Sequence, residues 1–98
     1  MQNYKNNANS KLIMDKLKYY RDRIDVIDRN IVKLLLSRFK LAEQIADYKK
    51  NYKLKLIDKK REHHIINNVK NYSGKKHQTF LKKIFSDIID YSKKVQSK

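Results

Sequence analysis

Residues 15–50 read DKLKYYRDRIDVIDRNIVKLLLSRFKLAEQIADYKK, with no Gly or Pro among them. The apolar positions are Leu17, Tyr20, Ile24, Ile27, Ile31 and Leu34, then Leu41, Ile45 and Tyr48. Their steps alternate three and four, the period of one buried stripe on an α-helix. The stretch predicts a single helix of about 35 residues, roughly 50 Å long at 1.5 Å per residue. A chain of 98 residues packed as one globule has a radius of gyration of only about 13 Å. Shorter helices can flank part of such a rod, but the rest of its stripe needs another chain. The expectation is an intertwined helical homodimer. A solitary three-helix bundle with a bent first helix is the plainer alternative.

Working outward, Lys53 to Ile57 form a loop and Asp58 is a suitable N-cap. A second, short helix follows over about 58–71, its apolar face carrying Ile65, Ile66 and Val69. Asn71-Tyr72-Ser73-Gly74 reads as a second loop. A third, medium helix over about 78–96 carries Phe80, Leu81, Ile84, Phe85, Ile88, Ile89 and Val95. The fold class is therefore all-α, with three helices per chain. No Pro and one Gly leave little material for the turns of a multi-stranded β fold. Residues 1–14 (MQNYKNNANSKLIM) are polar and Asn-rich, and read as a flexible N-terminal extension to a domain at 15–98. Leu12-Ile13-Met14 is too short for a signal-peptide core, and no run approaches the ~20 apolar residues of a membrane span. The expected location is cytoplasmic, with no membrane partner.

Composition excludes several chemistries. Without Cys there is no disulfide scaffold, thiolate nucleophile or Cys-based zinc site. His63 and His64 are adjacent and cannot act as i, i+4 ligands on one helix face. No metal and no cofactor are expected. The charge balance is the strong signal: 25 Lys+Arg against 10 Asp+Glu, a formal net charge of +15. An anionic partner is implied. Nucleic acid is the obvious one, yet no helix-turn-helix or aromatic-rich RNA signature accompanies the charge. The excess lies in the N-terminal segment, the loop after the first helix and the later helices, whereas residues 21–47 are nearly balanced. That distribution suits a lysine-rich surface better than a DNA-reading stripe.

The informative residues are polar ones on apolar stripes. The first stripe calls for an apolar side chain at position 38 and finds Arg38. A charge on a seam is costly unless paired. Lys49 lies eleven residues on, which is three turns plus about 20°, so it shares the face of Arg38 about 16 Å away along the axis. Ser92 and Gln96, four apart, interrupt the apolar face of the third helix. Glu62, one of two Glu in the chain, sits four and seven residues before Ile66 and Val69. Each alone has an ordinary structural reading: a salt bridge, a solvated helix end, a frayed terminus. The five Arg (21, 23, 29, 38, 61) stand among 20 Lys, and Arg is the residue for bidentate carboxylate binding. Together, Arg21, Arg38, Lys49, Arg61, Glu62, Ser92 and Gln96 offer cations, one carboxylate and two neutral hydrogen-bonders, but no nucleophile–base pair. Such a set suits a small dicarboxylate and a reaction driven by confinement and charge stabilisation.

Over about residues 16–97 the sequence resembles the AroQ-type, all-α chorismate mutases. The matching elements are Tyr20-Arg21-Asp22-Arg23-Ile24-Asp25-Val26-Ile27-Asp28, Leu35-Leu36-Ser37-Arg38-Phe39-Lys40-Leu41-Ala42, Lys49, Asp58-Lys59-Lys60-Arg61-Glu62, and Ile88-Ile89-Asp90-Tyr91-Ser92 with Gln96. Each is weak alone. They occur in order, at the family's spacing, on the residues already singled out. The resemblance implies an intertwined homodimer and the intramolecular [3,3] rearrangement of chorismate to prephenate, in phenylalanine and tyrosine biosynthesis. It implies that Arg38 and Arg61 bind the substrate carboxylates, with Ser92 near Arg61, and that Arg21 enters from the partner protomer. Lys49 and Gln96 would hydrogen-bond the ether oxygen. Glu62 would accept from the ring hydroxyl, with Asp58 at the same end. With no partner domain following, a monofunctional enzyme is expected.

Helix geometry independently favours a partner's Arg21. Seventeen residues separate it from Arg38, about 25 Å along one helix, too far for one compact ligand. An isochorismate-pyruvate lyase needs a similar pocket, and residue types alone do not separate the two activities. A basic nucleic-acid-binding module and a helical adaptor are the readings from other classes. Neither accounts for polar residues on apolar faces.

Overall fold

The computed structural model describes residues 7–97, which contain helices and no strand. Helix α1 spans Asn7–Asn51 and helix α2 spans Lys59–Gln96. The all-α class is as expected, but the count is two helices and not three.

Helix α1 starts eight residues ahead of the expected position 15. Residues 7–14 contain no Gly or Pro, and their polarity alone had suggested an extension that stays out of the helix. Residues 1–6 of the expected flexible segment lie outside the described residues. At its other end α1 stops without a glycine. Lys53 takes a left-handed φ of 56°. Its N–H donates to the Lys50 carbonyl (3.2 Å), and the Leu54 N–H donates to the Lys49 carbonyl (2.7 Å). These two bonds are the Schellman arrangement, which satisfies carbonyls that the helix end leaves open. The expected loop follows over 52–58.

Asp58 is the N-cap of α2, in extended conformation (φ −133°, ψ 91°), and its carboxylate accepts from the Arg61 N–H at 3.0 Å. The expected second and third helices form one element. No loop occupies 71–74; only Gly74 leaves helical geometry, at φ 72°, ψ 167°. Ser73 donates its hydroxyl to the Val69 carbonyl one turn back, a bond that bends helices, and Ser/Gly pairs are common kink sites. One residue is enough to redirect the chain, so helix resumes at once. The Gly74 dihedrals belong to a region that only glycine occupies readily. Nothing lies within 4 Å of where a Cβ would stand, so backbone strain and not crowding is what restricts this position. Gly74→Ala is expected to lower stability by about 1–3 kcal/mol, read by urea unfolding. Wild-type stability in that variant would mean that α2 tolerates another path through residue 74.

Contacts divide the chain into two units, Met1–Leu36 and Ser37–Lys98. In the first, the α1 stripe is uncovered: Tyr20 is 51%, Ile27 54% and Leu34 70% exposed. In the second, Ala42 and Ala46 of α1 and Val69 and Ile89 of α2 are the buried apolar core. Phe39 and Tyr91 add an edge-to-face ring pair, centroids 4.8 Å apart. Two hydrogen bonds mark the alignment: Arg38 with Ser92, and Gln96 with the Ala42 carbonyl. Both partners advance by four residues, so the end of α2 runs parallel to the end of α1.

Candidate functional site

The unit Ser37–Lys98 holds a cavity of about 270 Å³. Its lining resolves into three helical stripes. Arg38, Leu41, Ala42, Ile45 and Lys49 come from α1. Asp58, with Arg61, Glu62 and Ile65, comes from the start of α2. Ile89, Ser92, Lys93 and Gln96 come from its end. Each set follows i, i+3, i+4, i+7 spacing, so each is one helix face. Leu56 of the loop closes the ring. Four cations and two carboxylates line the space, a net charge of +2.

The polar groups are held by the fold with donors to spare. Arg38 Nη1 donates to Ser92 Oγ at 3.0 Å, and Ser92, itself buried, donates its hydroxyl to the Ile88 carbonyl at 2.8 Å. A guanidinium has five N–H donors, so most of the Arg38 fork stays open. Lys49 Nζ donates to the Leu56 carbonyl at 3.2 Å. The Schellman stop makes this possible by turning the loop back toward the last turn of α1. One of the three ammonium donors is used and two remain. Gln96 Nε2 donates to the Ala42 carbonyl at 3.3 Å and keeps its second N–H. Lys93 Nζ lies 3.2 Å from Glu62 Oε2 and 3.3 Å from Oε1.

Electrostatics favour an anion. Burial first, and the Arg61 guanidinium second, push Arg38 below the usual arginine value. Arg38 remains charged, because arginine starts far above neutral pH. Its environment therefore disfavours a cation that has no means to neutralise. A carboxylate between Arg38 and Arg61 would remove that repulsion. Among the described residues no group of His, Cys, Asp or Glu could hold a metal ion. No helix among them is long and apolar enough to cross a membrane.

Of the residues singled out in the sequence, Arg38, Lys49, Asp58, Arg61, Glu62, Ser92 and Gln96 meet at this cavity. Arg21 belongs to the unit Met1–Leu36 and is exposed. Ser92, expected near Arg61, lines the same cavity as Arg61 and hydrogen-bonds Arg38, because the parallel run of α2 along α1 brings position 92 beside position 38. Sequence reasoning missed Lys93 and the carbonyls of Ala42 and Leu56. Backbone carbonyls carry no sequence signal. Lys93 did: it lies four residues after Ile89 on the same apolar face as Ser92 and Gln96, and was lost among twenty lysines.

The chorismate mutase type II family model matches residues 20–97. A chorismate mutase of Methanocaldococcus jannaschii is 31% identical over 87 residues, covering 86% of this chain and 87% of that protein. No solved structure matches significantly.

Proposed function

The chain belongs to the chorismate mutase type II family, and from that premise we propose that it converts chorismate to prephenate, at a site shared between two protomers. The observation that most supports this reading is the cavity itself, whose net +2 complements a dicarboxylate and whose polar groups keep unused donors. Arg38 and Arg61 take the two carboxylates of the substrate, with Ser92 holding Arg38 in place. Lys49 and Gln96 face the ether oxygen. As the C–O bond breaks and the new C–C bond forms, that oxygen gains negative charge. A donor already aimed at such a charge is worth about 3–4 kcal/mol where water is excluded. Glu62 accepts from the ring hydroxyl, and Asp58 stands at the same end. Together they hold chorismate in the compact shape in which its reacting carbons meet, which lowers the entropic part of the barrier. No proton transfer or covalent intermediate is needed. The rate comes from binding the transition state more tightly than the ground state.

The shared site rests on α1. Its uncovered stripe at Tyr20, Ile24, Ile27, Ile31 and Leu34 is a large apolar face that a second copy would bury. A second copy would also bring its Arg21 to the cavity. The catalytic domain spans 15–98, residues 1–14 are an extension to it, and the enzyme works in the cytoplasm. Purified protein incubated with chorismate is expected to yield prephenate, identified by product analysis. Incubation with isochorismate tests the lyase alternative. Pyruvate release from isochorismate with no prephenate from chorismate would overturn the assignment.

A further inference from the structure

Lys93 lies on the cavity wall with its ammonium across both oxygens of Glu62, at 3.2 and 3.3 Å. The two residues are 31 apart and stand on opposite sides of the Gly74 break, so the pair ties the two limbs of α2 at the site. Their side chains are 29% and 21% exposed, less open than the other ion pairs among the described residues, whose members reach 58–75% in the Lys18–Asp22 case. Partial burial lessens solvent screening. Two further charges attend the pair. Lys59 approaches Glu62 Oε1 at 3.8 Å but is 72% exposed, and Asp90 lies 3.9 Å from Lys93 but is 70% exposed. The Lys93–Glu62 contact is therefore the shorter and better shielded one on both sides.

We propose that Lys93 is a positioning residue for the reaction: it fixes the Glu62 carboxylate so that a free lone pair faces the hydroxyl of the substrate. This rests on the assignment of Glu62 made above. An ionised carboxylate has about four lone-pair sites. The ammonium donates to Oε1 and lies at ion-pair distance from Oε2, which leaves the remaining lone pairs in a defined direction. A glutamate side chain without that brace rotates about three bonds and can follow Lys59 toward solvent. Losing the brace misaligns a group that must match the bound shape of the substrate, and small misplacements are costly in rate. The carboxylate clamps, Arg38 and Arg61, stay in place, so ground-state affinity changes little.

The test uses the full chain as wild type, Lys93→Met, Lys93→Arg, Glu62→Gln and the Glu62→Gln/Lys93→Met double variant. Turnover of chorismate and substrate-free thermal unfolding are measured for each. Lys93→Met should lower kcat about tenfold with KM within about threefold. Lys93→Arg keeps charge and reach, and should restore kcat to within about threefold of wild type. In the Glu62→Gln background, Lys93→Met should change kcat by less than about twofold, since a residue acting through Glu62 has nothing left to act on. The unfolding cycle should show coupling between positions 62 and 93. The proposal is overturned if Lys93→Met raises KM and spares kcat, which would make Lys93 a general anion attractor. Effects that multiply in the double variant, a Lys93→Arg protein as impaired as Lys93→Met, or an unfolding cycle without coupling overturn it as well. Wild-type protein that makes no prephenate would instead sink the functional assignment, and would leave the pair as a contact of the fold alone.

Discussion

Arg38→Met should abolish most of the activity while leaving the ligand-free fold intact. Arg38 is half-buried, hydrogen-bonded to Ser92, and faces Arg61 across the cavity. Removing one member of a desolvated charge pair between enzyme and ligand costs about 2–5 kcal/mol, or roughly two to four orders of magnitude in kcat/KM. Arg38→Lys should recover only part of this, because an ammonium cannot reproduce the bidentate fork. Stability should move the other way. Both causes that lower the Arg38 pKa, burial and then repulsion from Arg61, also disfavour the charged side chain in the empty fold. The sign is direct: a cation whose folded pKa is lowered reduces folded stability at every pH where it is charged. For an arginine that covers the whole physiological range, so no pH window should appear. Ser92 keeps its bond to the Ile88 carbonyl, so no buried hydroxyl is orphaned. The melting temperature of Arg38→Met should equal or exceed that of wild type, and its rise on adding a dicarboxylate substrate or product should disappear. A strongly destabilised Arg38→Met protein would mark Arg38 as a structural brace. Sites that bind charged ligands often carry such a cost in the free state.

The second large effect is a recovery. Arg21→Ala and Arg38→Ala proteins should each be nearly inactive alone. In the shared-site dimer proposed above, mixing in equal amounts and re-equilibrating makes about half of the dimers heterodimers. In each of these, one site draws Arg38 from one chain and Arg21 from the other, both intact, while the second site lacks both. Activity should rise from near zero to roughly a quarter of wild type. The reason is distance: seventeen residues of helix are about 25 Å, more than one substrate spans. Subunit exchange is followed separately, for instance by mass-tagged chains. Exchange without recovery would mean that the two arginines do not complete one site from two chains. Substitution of stripe residues such as Ile24 and Ile31, both about half exposed, should weaken the dimer and dilute activity at low protein concentration.

Much of the site was legible because helices convert spacing into faces. Arg38 and Lys49 interrupt one stripe, Ser92 and Gln96 another, and Asp58, Arg61 and Glu62 follow a third, so one-dimensional periodicity was enough to select them. Their mutual contacts were not legible. Which residue Ser92 touches depends on how α2 lies against α1, and the four-residue offsets that set this appear only once the chain is folded. The same holds for Lys93, which in the sequence is one lysine among twenty and in space sits beside Glu62.

The fold divides in the same way. By itself the sequence determined an all-α chain with a long first helix, its stop near Asn51, and the Asp58 cap. Hydrophobic period, capping chemistry and the lack of Gly and Pro are local properties that act over a few residues. The tertiary structure alone decided that the break between the second and third helices is the single residue Gly74 and not a loop over 71–74, and that the lysine at 93 meets the glutamate at 62. The one glycine marks a break in the sequence, but its φ of 72° and the helix that resumes directly after it appear only in the folded chain. Ion pairs across a kink form only after that packing has brought distant segments together.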